Sequence, residues 1–458
     1  MTAAPDVPHA EALALTRHWC RIRSVRGDAA GLAEQAGAIV DWLGGRLGAE
    51  IVNAAGEGGR PPVIHARIDV GARDSVVLYN MYDVMPADAG GWSVDPFEGG
   101  TVERDGVGPC FVARGAENNK GPLAGMLCVL ERMIGDGRLR TNVEILVEGE
   151  EESGSGALRA YLLDPASRVR RGRAALFPSF CEYGGGPPRV YLGFSGIAKG
   201  EAAVTGGAWG GPAMPIHSSN APWIANPARR LVEALSRFGE GPTGMLATID
   251  LDDAARGIVA ALAVHFDPAG ELRFRGAQRF AVPGDAAALL ARVLATASVN
   301  VSELSSEPAG GDAVIPYAAR ARFDLRCPPP LDPSSFVDLL RRRLAEDGLA
   351  GVALRIDDSY PGWRFDRAAP GVDALLAAYA RTAGATPQIW PWAIGSAPAY
   401  AFARHVDAFL IGGAGRGGNA HGVDEFMSLE GYARFLQSID LWLTAMGDPR
   451  MASREPTR

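Results

Sequence analysis

The chain has 458 residues, 47% of them hydrophobic and 21% charged, with a formal net charge of −8. That length exceeds what one hydrophobic core usually organises, so two domains are expected. The acidic balance and the lack of any lysine- or arginine-rich block exclude a nucleic-acid-binding surface, and no apolar run is long enough to span a bilayer.

The opening segment, MTAAPDVPHAEALALTRHWC, lacks a basic start followed by an apolar run, so no signal peptide is read there. Apolar residues recur at helical spacing over 11–22 and again over 32–47. Strands are expected at 63–68 and 75–79. An apolar helix is expected over 121–134, entered just after a Gly-Pro pair. A strand over 141–147 runs into EGEEESGSG, and a short apolar strand follows at 174–177. Strands alternating with helices predict an α/β layer structure with a mostly parallel central sheet. Such a sheet places its site at the strand ends.

The texture changes from about residue 189. Strands are expected at 190–193, 200–205, 314–316 and 319–326, with helices at 227–237, 286–296 and 334–345. This pattern predicts an inserted α+β domain. A helix over 371–382, a strand at 408–411 and a last helix over 429–446 return to the first domain. The expected division is a catalytic domain of 1–194 and 363–458 with an insert of 195–362. Cys20, Cys110, Cys128, Cys181 and Cys327 form no CxxC pair, which fits reduced thiols in a cytoplasmic protein and argues against a cysteine-built zinc site.

Five segments stand out chemically: YNMYDVMP (79–86), ARGAENNKGP (113–122), EGEEESGS (148–155), IHSSNAPWIANP (216–227) and NAHGVDEF (419–426). Three adjacent carboxylates, Glu150 to Glu152, raise one another's pKa at a buried strand end unless cations or hydrogen bonds compensate. A solvated acidic turn is the plain alternative, but the neighbouring glycines allow a tight backbone around a ligand. His421 taken alone reads equally as a structural histidine. RGAENNKG lacks the glycine spacing and the ending of a phosphate loop.

Together these segments resemble the di-zinc metallopeptidase family of carnosine dipeptidases, aminoacylases and succinyl-diaminopimelate desuccinylase, most of all its dipeptidase branch. Members read GHxDVxP, WxxDPF, GRGxxDDKGP, EGxEExGS, HSGxxGGxxxNP and HxxNE. The chain offers YNMYDVMP, Trp92 with DPF at 95–97, ARGAENNKGP, EGEEESGS, HSSNAPWIANP and HGVDEF in the same order. The resemblance implies that Asp83 orients the first ligand position, Glu151 is the general base, and Glu152 and His421 are ligands of one zinc. It implies that His217, from the insert, stabilises the oxyanion across a homodimer interface. Arg326 would grip a substrate carboxylate, Asn300 lies in a substrate-contacting strand, and Ser396 stands in the substrate-binding segment, altered here to WAIGSAP.

The departures fall on metal. Met81 stands where the family has a histidine, Asn118 where it has the bridging aspartate, and Ser179 where it has a further aspartate, so three of five ligand positions are changed. One zinc position keeps no good ligand. The other keeps Glu152 and His421 with Asn118, a weak site for one zinc or manganese ion or for none. Cys181 and Glu182 would offer a substitute ligand only if their loop shifted.

The expected activity is therefore a divergent hydrolase acting on a dipeptide-like or N-acyl amino acid amide, with a small amino-acid-derived substrate and no membrane or nucleic-acid partner. The alternatives are a metal-independent epimerase, cyclase or amide-forming enzyme using the same acid/base residues, and a non-catalytic binding protein. The tryptophans of IWPWAIGSAP (389–398) suggest an apolar pocket wall, or simply buried core.

Overall fold

A computed structural model describes residues 7–448 apart from 57, 89 and 350. Residues 1–6 of the opening segment lie outside the described residues. Two helices, His9–Arg21 and Ala29–Leu47, come first. The second is capped by Asp28, whose carboxylate accepts the Ala30 and Gly31 backbone N–H groups, and is closed by Gly48 at φ 62.

The larger sheet has six strands in the order Glu50–Asn53, Ile64–Ile68, Asn142–Glu148, Ser75–Met81, Ala175–Pro178 and Phe409–Gly412. The last four run parallel, and the first two add on antiparallel. The expected parallel core is present, while two antiparallel strands at one edge make the sheet mixed. Every residue of Ser75–Met81 is buried, as a strand covered on both faces must be. On one face lie the helices Lys120–Gly135 and Leu429–Met446, sharing a core with Trp19, Leu78, Ile145, Tyr432 and Trp442. On the other, Tyr79, Leu146 and Phe177 join Leu158, Phe402 and Phe409. A four-stranded sheet, including the hairpin of Gly100–Arg104 and Gly108–Val112, has no counterpart among the expected elements.

A second sheet is built wholly within residues 196–360. Its order is Met245–Thr248, Thr296–Glu307, Ala318–Cys327, Gly196–Thr205 and Ala353–Tyr360, with every neighbouring pair antiparallel. Alternation sorts its faces. Ala198, Ala202, Val204, Ala321, Phe323 and Leu325 pack against the helices Pro227–Leu235 and Pro333–Glu346. Lys199, Asp324, Arg326, Asp358 and Tyr360 occupy the opposite face. The helices Asp253–Ala263 and Ala286–Ala295 do not join this core. Their Val259, Leu262, Leu290 and Leu294 pack in one cluster with Trp390, Trp392 and Phe409. All five cysteines are buried and unpaired. No helix of the described residues is long and apolar enough to cross a membrane.

Where the second and third strands of the larger sheet pair, Glu144 is fully buried between His65, which meets it at 2.6 Å, and Arg67, whose Nε donates at 2.6 Å. Burial pulls the Glu144 pKa up, but these partners outweigh it and hold the group below its ordinary value. Its contribution is therefore full above the unfolded pKa and fades as pH falls through the folded one. Glu144→Gln leaves the half-buried Arg67 only the exposed Glu50 carboxylate at 3.3 Å, and thermal or urea unfolding is expected to show a loss of about 1–3 kcal/mol at neutral pH. A loss under about 1 kcal/mol would place the pair in the solvent-screened class instead.

Candidate functional site

The strand Ser75–Met81 delivers its chain into Tyr82 and Asp83, and the strand Asn142–Glu148 delivers into a 3-10 turn, Glu151–Ser153. Asp83 is fully buried and joins the two. The Glu151 and Glu152 backbone N–H groups donate to its Oδ1 and Oδ2 at 3.2 and 3.0 Å. A glycine is required at 149 because a Cβ there would lie 2.3 Å from the Tyr82 ring, whose hydroxyl donates to the Pro62 carbonyl at 2.9 Å.

The loop carrying Asn118 is shaped by Glu425. This buried carboxylate accepts the backbone N–H groups of Gly115, Glu117 and Asn118 at 3.1, 2.9 and 2.8 Å, and Arg114 Nη1 at 2.5 Å. His421 sits in a loop whose Asn419, His421 and Asp424 all adopt positive φ, at 57, 65 and 54°. Strained residues of this kind gather at functional sites.

These loops bring Asn118, Glu152 and His421 together. Asn118 Nδ2 lies 2.8 Å from Glu152 Oε1 and 3.1 Å from His421 Nε2, and His421 Nε2 lies 3.0 Å from Glu152 Oε1. The hydrogen bond that the His421 ring donates to the Glu152 carboxylate raises the His421 pKa against the opposing effect of burial.

Met81 ends its strand fully buried, within the apolar cluster of Tyr79, Phe177 and Trp392. Ser179 is half-buried just beyond the strand Ala175–Pro178. A thioether in an apolar core, an amide presenting its NH2 and a hydroxyl do not fit a di-zinc centre. Cys181 and Glu182 do not repair it. Burial pushes the Cys181 thiol up to about 12, and Glu182 is committed to Arg434 at 2.6 Å. Among the described residues, no three His, Cys, Asp or Glu side chains gather as a metal site. Glu152 and His421 remain as a pair able to hold one divalent ion.

Carboxyl groups crowd the same strand ends. Burial, with Glu152, Asp83 and Glu148 adding, raises Glu151 well above the ordinary range. Burial takes Asp83 up to about 7, against the two N–H groups it accepts. Burial with the facing Glu425 and Glu152 takes Glu117 to about 8. Glu148 is also pushed to about 8 by burial, although the Tyr79 hydroxyl donates to it at 2.5 Å. Its second oxygen is buried without a partner.

The second sheet supplies the facing wall. Arg326 Nη1 donates to Ser396 Oγ at 3.0 Å and its Nε to Asp324 at 3.2 Å, while Asn300 Nδ2 donates to Asp324 at 3.0 Å. Asn300, Arg326 and Ser396 thus form one network. Tyr360 connects it to the carboxyl cluster, because its hydroxyl senses both Glu151 and Arg326 while burial raises its pKa. Arg159 lies over the Tyr360 ring at 4.7 Å and pairs with Asp358 at 2.6 Å. His217 is not brought to the cluster within the chain. It is exposed, its Nδ1 2.9 Å from Ser219 Oγ. Trp390 and Trp392 are core residues, 4% and 2% exposed, although Trp390 also lines a cavity of about 320 Å³ with Tyr191, Phe266 and Phe280.

Sequence reasoning missed Glu117, Glu425, Tyr360 and Lys199. The first two stand inside the segments ARGAENNKGP and NAHGVDEF, where a buried acid beside a ligand position was a usable signal. The other two lie on strands, with no local mark.

A family model described as peptidase family M20/M25/M40 matches residues 77–445. The Cys-Gly metallodipeptidase DUG1 of Candida albicans is 37% identical over 98 residues, covering 21% of this chain and 20% of that protein. Succinyl-diaminopimelate desuccinylase of Gluconacetobacter diazotrophicus is 34% identical over 155 residues, covering 33% of this chain and 38% of that protein. These alignments span a fifth to two fifths of the relatives' length. The crystal structure of the M20 family metallo-carboxypeptidase Sso-CP2 from Sulfolobus solfataricus has a TM-score of 0.83 at 24% identity, covering 95% of this chain and 99% of that one. That likeness shows the fold.

The proton-holding carboxyls set a direction for stability. The unfolded chain releases the Glu148 proton near 4.5, whereas the folded chain keeps it to about 8. Stability of the metal-free protein should therefore fall as pH rises through that window, and Asp83 and Glu117 add in the same sense. Glu148→Gln keeps an acceptor for Tyr79 and removes one ionisation. Its melting temperature should decline less steeply with pH than that of the wild type. Parallel curves would show that Glu148 ionises normally.

Proposed function

From the premise that the chain belongs to peptidase family M20/M25/M40, we propose that it hydrolyses the amide bond of a dipeptide-like or N-acyl amino acid, with Glu151 as general base. The observation that carries this reading is the placement of Glu151. Its backbone is pinned to Asp83, it adjoins the Glu152–His421 pair, and it is electrostatically linked through Tyr360 to Arg326. Arg326 and Ser396 would take the substrate's carboxylate, with Asn300 behind them through Asp324. Glu151 would accept a proton from the attacking water and return it to the departing amine. His217, exposed on the lid, would donate to the oxyanion of a second copy in a homodimer. One divalent ion on Glu152 and His421 would supply a Lewis acid and an acidified water.

The proton-rich carboxyl cluster favours a second reading. A glutamic acid whose pKa is raised by burial can serve as an acid, so a metal-free epimerase, cyclase or amide-forming enzyme would use the same residues. A binding protein without turnover is the third.

Metal content by elemental mass spectrometry separates the first two. Protein purified without chelator is compared with protein dialysed against excess zinc, alongside an assay of dipeptides and N-acyl amino acids. The hydrolytic reading expects about one ion per chain, lost together with activity in Glu152→Ala and His421→Ala. It expects Glu151→Gln to lower kcat about 10²–10⁴-fold while ligand binding persists. Full turnover in strong chelator with no bound metal overturns the metal-assisted form. Solvent deuterium appearing at a substrate carbon supports the second reading. Ligand binding that survives Glu151→Gln with no turnover of any candidate supports the third.

A further inference from the structure

Of the 45 basic side chains, 43 are arginine, and the only lysines are Lys120 and Lys199. Lys120 is explained by packing. It is fully buried, and its Nζ donates to the Trp19 and Ile22 carbonyls at 2.9 and 2.6 Å, in a space that a guanidinium would not fit.

Lys199 has a different setting. It is half-buried in the strand Gly196–Thr205, on the polar face of the second sheet. Asp324 stands directly opposite it on one neighbouring strand and Asp358 on the other. Both aspartates are already engaged by arginines, Asp324 by Arg326 at 3.2 Å and Asp358 by Arg159 at 2.6 Å. Lys199 makes no ion pair of its own among the described residues, so its ammonium is unmatched beside these two pairs. An arginine at 199 would be drawn into a bidentate pair with one of the flanking aspartates. A lysine, with its point charge on a flexible stem, stays available. Its field reaches Glu151, on which it acts as the opposing cation.

Arg326 is the diagonal neighbour of Lys199. It lies two residues past Asp324 on the same face, at a Cβ separation of about 7–8 Å for such pairs. Long side chains reaching from that spacing can meet two carboxylates carried by one small molecule.

We propose that Lys199 and Arg326 act as a pair that holds the two carboxylates of an acidic amino-acid moiety, glutamate or aspartate, on the face of the second sheet opposite Glu151. Arg326 takes the α-carboxylate and Lys199 the side-chain carboxylate. Lys199 is then the residue that sets specificity, and the inference rests on the reading of Arg326 as the grip for substrate carboxylate.

Calorimetric titration of the full chain with Gly-Glu and Gly-Gln tests this directly. Wild type should bind Gly-Glu about tenfold or more tighter than Gly-Gln, the worth of one charge-assisted hydrogen bond. Lys199→Met should bring the two ligands to within about twofold of each other by weakening Gly-Glu alone, and Lys199→Arg, drawn into a pair with a flanking aspartate, should lose most of the preference as well. Arg326→Met should weaken both. The proposal is overturned by a Gly-Glu preference that survives Lys199→Met, by no preference in the wild type, or by no binding of either ligand. Preference without turnover of either peptide counts against the hydrolytic reading and leaves the binding pair standing.

Discussion

Carboxyl groups buried at strand ends are the constraint around which the site is organised. A buried carboxylate costs several kcal/mol unless it is paired, hydrogen-bonded or protonated. This chain uses all three routes within one region. Glu425 is paired with Arg114 and accepts three backbone N–H groups. Asp83 accepts the N–H groups of the acidic turn. Glu148 and Glu117 retain protons to about 8. Asn118 adds to the same balance, since its amide donates to Glu152.

The retained residues are those with work to do in the absence of a second metal. Glu425 fixes the loop that presents Asn118, and Asp83 fixes the turn that presents Glu151 and Glu152. These are backbone-shaping tasks, and they survive loss of metal because hydrogen bonds to N–H groups do not depend on it. The facing wall follows a different logic. There the acids are matched by arginines one for one, Asp324 with Arg326 and Asp358 with Arg159. Neutral matched pairs desolvate at lower cost than isolated charges, and Lys199 stands half-buried between them.

Local periodicity made much of the frame legible. The helix Leu429–Met446 and the strands Ser75–Met81 and Ala318–Cys327 lie within a residue or two of their expected ends, because each has one continuous buried stripe or face. The helices Asp253–Ala263 and Pro268–Phe274 and the hairpin after Phe97 were not read. The first helix buries its apolar side against Trp390 and its neighbours, and its companion is too short to show a period. The hairpin is broken by glycines that hide its alternation.

The sequence by itself determined the ancestry and the acidic character of the turn at Glu150 to Glu152, since both are written in short motifs whose residues are neighbours in the chain. Tertiary structure alone decided which distant groups meet. Cross-strand register sets Lys199 between Asp324 and Asp358, and distant loops bring Asn118 to Glu152 and His421. It also decided which carboxyls hold protons, because a pKa depends on burial and on facing charges that sequence distance does not encode. The separation of His217 from the cluster is of the same kind: the motif kept the residue, and the fold of the single chain does not deliver it.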